Sequence, residues 1–268
     1  MPPSSPRAGN RPRSRAAAGL PAVTAEKVVD AALALTAELG LDNWTLRQLA
    51  AAVDAYPAVV YHHVGDRDSV VCAVLDRVVG YLRLPADDLS WPDWFGELLV
   101  ELRVVLRRYP GTARRMVLFG PSVAAAMRPV DRGMRMLLNA GFGPESVLAY
   151  NLLIATACQF VAMEDDRDGT LALRLDNTEE YATYRDRADL PGLATHGAAM
   201  HDLAGDPSLT ADYYDRLYDY AVHRCLDGLT LRLRELETER PDLAAADLPA
   251  MQSGGDPTAD SVKFTGPE

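Results

Sequence analysis

Between two polar tails, apolar residues recur at helical spacing along almost the whole chain. Val28, Val29, Ala32, Leu33, Thr36 and Leu39 share one face, with Thr24 placed to cap that helix and Gly40 to end it. A short helix is predicted over Leu46 to Val53; Thr45 caps it and Gln48, three residues on, completes a capping-box pattern. Asp54-Ala55-Tyr56-Pro57 breaks the pattern, and Pro57 suits the first turn of a third short helix through His63. Asp66 then caps a fourth helix that runs to about Arg83. After a Pro- and Asp-rich joint, Leu84 to Pro92, comes one apolar stripe of Leu98, Leu99, Leu102, Val105, Leu106 and Tyr109, stopped at Pro110. Residues 121–140 predict one or two helices, bent or split at Pro129. Pro144 opens a strongly apolar helix, Val147 to Met163, and Thr210 opens the last, to about Glu239. Strand-like alternation is scarce, so the expected fold is all-α.

Composition bounds the picture without changing it. Apolar residues make up 48% and charged residues 24%, ordinary values for a globular protein. No apolar run reaches the roughly 18–20 residues of a membrane span, and the opening stretch lacks the apolar centre of a secretory signal. Both point to a cytoplasmic protein. The three cysteines, Cys72, Cys158 and Cys225, each lie in an apolar stretch and read as reduced core thiols. Residues 1–21, with Arg7, Arg11, Arg13 and Arg15, read as a disordered basic arm: either a plain tail or a DNA-touching arm. Residues 241–268 read as a disordered tail, and the body divides at the joint into units 22–84 and 85–240.

The net charge of −11 argues at first against a nucleic-acid partner. Its distribution removes the objection. Residues 1–84 hold nine Lys/Arg against eight Asp/Glu, whereas residues 85–268 hold eighteen against thirty. An acidic body leaves the near-neutral N-terminal unit as the face that DNA tolerates.

That unit carries the informative spacing. Two helices of about two turns joined by a turn of roughly four residues have the dimensions of a helix-turn-helix. Leu49, Ala50, Val53 and Val60 would face inward, and the second helix would enter the major groove. The residue types resemble the tetracycline-repressor-like (TetR/AcrR) family. The resemblance rests on Val28 to Leu35, Gly40, Thr45-Leu46-Arg47-Gln48-Leu49-Ala50 and Pro57 to Val70, above all Tyr61, His63 and Val64 followed by Asp66 and a basic residue.

The resemblance implies roles residue by residue. Thr45 looks like a hydroxyl that touches phosphate as well as a cap, and Arg47 like a contact to phosphate or a guanine edge. Tyr61 and His63 look like backbone-positioning residues, with Arg67 in place of the usual Lys. Tyr56, Ala58, Val59 and His62 would face bases. One departure is Asp54, where the family usually has Gly; Asp tolerates the left-handed backbone such a turn needs. A homodimer on a palindromic operator, acting as a repressor released by a small, largely apolar or aromatic effector, is what the family implies.

In the acidic body, Val147 to Met163 and the stripe Tyr214, Leu217, Tyr218, Ala221, Cys225, Leu226, Leu229, Leu233 and Leu236 are the dimer candidates. Phe95, Leu99, Tyr109, Met116, Phe119, Met127, Met134, Phe142, Tyr150, Phe160 and Met163 are candidates for an effector pocket, though each also suits a core. Glu164 to Pro191 is charged and reads as a mobile loop beside it. Glu164-Asp165-Asp166-Arg167-Asp168-Gly169 looks like the start of a calcium loop but ends on Leu175 where Glu is required. No metal, cofactor or catalytic motif is expected. The alternative is an all-helical small-molecule-binding protein or enzyme without DNA binding.

Overall fold

The Thr24 hydroxyl accepts a hydrogen bond from the Lys27 amide at 3.2 Å, and helix α1 runs Ala25–Leu39 until Gly40, at φ 86°, ends it. The computed structural model describes residues 23–120, 122–169 and 178–239, so both terminal segments read from the sequence lie outside the described residues. α2 is Leu46–Ala52, α3 is Pro57–Val64 and α4 is Arg67–Val79. α4 ends sooner than Arg83, because Tyr81 and Leu82 turn back to bond the carbonyls of Val78 and Val79. Tyr81 then stacks on Tyr109 with ring centroids 6.1 Å apart.

α5, Trp91–Leu106, begins inside the expected joint: Ser90 caps it and Pro92 sits in its first turn, where a missing N–H costs nothing. α6 is Thr112–Phe119 and α7 is Met127–Ala140. Pro129 neither bends nor splits α7, since a short 3-10 turn over Ala124–Ala126 delays the helix start and leaves the proline in the first turn. α8, Ser146–Gly169, continues six residues past Met163; α9 is Thr178–Arg185, α10 is Pro191–Gly205 and α11 is Pro207–Glu239. Much of the stretch expected as a loop after Met163 is therefore helical. No strand occurs among the described residues.

One apolar core runs without a break from Val23 and Val28 through α4 and α5 to Leu236 in α11. α8 lies at its centre, packed against α5, α6, α7 and α11. By length and composition α8 is apolar enough to cross a membrane, contrary to the expectation that no run would be. Its inner face, with Ala149, Tyr150, Leu153, Ala157, Cys158 and Val161, is buried in the helical core. Its outer face leaves Val147, Leu148, Leu152 and Met163 exposed. On α11, Tyr218, Leu226, Leu229 and Leu236 turn inward, while Tyr220 and Leu231 stay exposed. Much of the stripe taken from the sequence as a dimer face is thus the helix's own core contact. Among the cysteines Cys158 is buried, with its thiol pushed up to about 12 by burial, and Cys225 is half-buried. Cys72 is exposed on α4 and is not a core thiol.

Candidate nucleic-acid interface and effector cavity

The geometry of the N-terminal unit starts at Thr45. Its hydroxyl accepts from the Gln48 amide, its own amide donates to the Gln48 side chain at 2.8 Å, and the capping box is complete. Such a cap contributes about 1 kcal/mol to a helix of only seven residues, which could not stand alone. Leu49, Ala50 and Val60 are buried between α2 and α3, and Val53 is half-buried against the same core. In the turn between them Asp54 takes φ 50°, the left-handed conformation that the substitution for Gly had to tolerate.

Beneath this pair sits Trp44, which the sequence reading did not single out. It is buried, and its indole N–H donates to the Thr36 hydroxyl at 3.0 Å; Thr36 in turn donates to the Ala32 carbonyl. The signal was present: an apolar residue just before a capping box, with Leu49 at the fourth helical position, has the spacing of a hydrophobic staple.

α3 presents its outer face to solvent. Tyr56 is 82% and Tyr61 51% exposed, unusual for large rings without a role at a surface. Ala58, His62 and His63 are exposed on the same helix, the two imidazoles edge to face with centroids 5.3 Å apart. Thr45 and Arg47 are exposed at the start of α2. Val59 is half-buried and packs partly against the core, so it lies at the margin of this face. Arg67 is engaged elsewhere: its guanidinium donates to the Leu41 carbonyl at 2.9 Å and lies over the Trp44 ring, 5.0 Å from its centroid. Of the nine positions expected at DNA, seven are thus exposed and Val59 is half-buried, while Arg67 braces the turn at Leu41.

The residues expected around an effector do not converge in the same way. Met116 and Tyr150 line a narrow apolar crevice with Leu98, Leu102, Val130 and Ile154, between α4, α5, α6, α7 and α8. Its open volume is about 20 Å³, room for one water and far below the few hundred Å³ of a drug-sized site. Gly133 lets α7 close down on it: a Cβ there would stand 2.8 Å from the Tyr150 ring and 3.2 Å from Phe95. Burial raises the Tyr150 hydroxyl to about 12. Phe95 and Leu99 are core residues, as is Phe142 against Trp91. Tyr109, Met134 and Phe160 are half-buried, and Met127 and Met163 are exposed, 68% and 44%. The side chain of Phe119 lies outside the described ones.

Comparisons place this geometry among known proteins. No family profile matches the chain. A curated helix-turn-helix-type transcriptional regulator of Saccharopolyspora erythraea is 32% identical over 184 residues, covering 65% of this chain and 75% of that protein. The structure of ActR, a TetR family protein of Streptomyces coelicolor, in complex with actinorhodin superposes with a TM-score of 0.66 at 22% identity, over 80% of this chain and 99% of that one. BioQ with its double-stranded DNA operator gives a TM-score of 0.50 at 23% identity, over 55% of this chain and 88% of that one.

Proposed function

This chain belongs to the TetR family of helix-turn-helix transcriptional regulators, and from that membership we propose that it is a cytoplasmic repressor that grips a palindromic operator as a homodimer and releases it when a small apolar or aromatic molecule binds. The observation that carries the DNA side is the exposed set Thr45, Arg47, Tyr56, Ala58, Tyr61, His62 and His63 around a buried two-helix joint. Residues 22–84 form the DNA-binding unit in this reading and residues 85–240 the effector and dimer unit. Two-fold symmetry is needed because one eight-residue helix reads few bases. Supporting a dimer, α8 and α11 leave Leu148, Leu152, Tyr220 and Leu231 uncovered, and a Cβ added at Gly228 would meet nothing within 4 Å.

The effector half rests on the crevice at Tyr150. Its closed state suits the DNA-bound or empty conformer, and an effector would select a conformer in which α7 stands off from α8. The ActR complex with actinorhodin supports an aromatic molecule in this class of protein. The enzyme reading finds no support among the relatives, which are regulators.

The testing experiment is selection of bound duplexes from a random library, followed by substitution. Tyr61→Ala weakens binding to every duplex alike, as loss of a backbone contact does, whereas His62→Ala relaxes preference at one or two base pairs. Arg47→Ala decides between its two expected roles: a shallower salt dependence by about one unit marks a phosphate contact, and a loss of about 1–3 kcal/mol at one position marks a guanine edge. Unchanged affinity for both Tyr61→Ala and Arg47→Ala contradicts the docking.

A further inference from the structure

The acidic run at the end of α8, which the sequence offers as a loop, begins with two buried carboxylates, whereas the next, Asp166, is exposed. Glu164 and Asp165 expose only 4% and 6% of their side chains. Arg103 of α5 grips Glu164 with a two-pronged pair of hydrogen bonds at 3.0 and 3.1 Å, and Arg107, one turn further on, reaches both Glu164 at 3.1 Å and Asp165 at 2.6 Å. Arg103 also bonds Asp215 of α11 and lies over the Tyr218 ring, 4.8 Å from its centroid. The Tyr218 hydroxyl donates to the Leu99 carbonyl at 2.6 Å.

The other end of this set reaches the DNA-binding unit. The second oxygen of Asp165 accepts from the Gly111 amide at 2.9 Å, in the turn between α5 and α6. Gly111, at φ 87°, lies so close to Leu41 that a Cβ would stand 3.2 Å from its side chain. The neighbouring Pro110 carbonyl accepts the Leu41 amide at 2.8 Å. Leu41 belongs to the turn between α1 and α2, and its carbonyl is held by Arg67 over Trp44, the residue that precedes the Thr45 cap.

We propose that Glu164 and Asp165, held by Arg103 and Arg107, form a strut that sets the angle of the DNA-binding helices against the body. Arg107 and Asp165 are positioning residues for operator recognition, although neither reaches the DNA face. The proposal rests on the regulator reading only for its consequence at DNA. Its physical basis is direction: apolar packing alone lets helices slide, whereas a forked guanidinium–carboxylate contact fixes register. The strut also joins α11 to the turn at Leu41, so a shift of α11 or α8 against α5 is carried to the recognition helices as a rigid displacement.

The test uses the full-length protein and its Asp165→Asn and Arg107→Met variants. In hydrogen exchange, the Leu41 and Gly111 amides exchange about tenfold faster in the variants, while core amides of Val74, Leu153 and Ala157 keep their wild-type rates. Unchanged Leu41 and Gly111, or uniform acceleration everywhere, overturns the strut; the latter marks a loss of fold stability only. The second readout takes a palindromic duplex selected with the wild-type protein. The variants bind an isolated half-site like the wild type, lose about tenfold on the intact palindrome and stop discriminating against one extra central base pair. Equal losses on half-site and palindrome overturn the positioning role. Should the wild type select no duplex, the regulator reading fails while the exchange data still decide the strut.

Discussion

Trp44→Ala is expected to lower the unfolding free energy by about 3–5 kcal/mol, in the range of buried aromatic truncations. For a chain of this size that is a fall in melting temperature of roughly 10 °C or more. The indole is almost completely buried, bonds Thr36 from one edge and carries the Arg67 guanidinium on its face. Its loss leaves a cavity under α2 and removes the platform on which Arg67 holds Leu41. Specific DNA binding is therefore lost at temperatures where α5, α8 and α11 are still folded. Trp44→Phe keeps most of the ring and gives up the N–H bond, at about 1 kcal/mol. Thermal denaturation by circular dichroism checks both, and a Trp44→Ala melting point within a degree of wild type contradicts the central place given to this residue.

The second large effect belongs to the dimer. Leu152→Arg combined with Leu231→Arg places two charges on the uncovered faces of α8 and α11, where neither side chain supports the chain's own core. Light scattering is expected to show wild type at twice 29.1 kDa and the double variant at 29.1 kDa. Operator affinity falls roughly 10²–10⁴-fold, the usual gain from tying two binding modules together, while helix content stays intact. A double variant that remains a dimer with full affinity contradicts the interface. The choice of residues matters. Leu226→Arg or Leu229→Arg, drawn from the stripe visible in the sequence, would damage the buried face of α11 and unfold the chain instead of separating it.

That contrast shows what the sequence holds and what it hides. The first four helices were legible because their signals are local: Thr24, Thr45 and Asp66 at caps, Gly40 at an end, Pro57 at a start. The exposed α3 positions are those that the family resemblance implies, apart from Val59, which sits between the two faces of an eight-residue helix. Helical periodicity also found the apolar stripes of α8 and α11, but both helices have two apolar sides. Nothing local distinguishes the side that meets α5 from the side left open. The end of α8 was misjudged for a related reason. Acidic residues in a row look solvated until their partners are known, and Arg103 lies 61 positions away from Glu164. The effector positions are the hardest to read from sequence, since Met and aromatic residues fill a core as readily as they line a cavity.

Titration of the wild-type protein with its selected palindrome across a salt series decides whether it is a sequence-specific dimeric regulator. One dimer is expected per palindrome, bound sequence-specifically, with affinity falling by about a thousandfold or more between roughly 50 and 200 mM salt as phosphate counterions are released. Binding that ignores sequence, or that holds constant across the salt series, would contradict that reading.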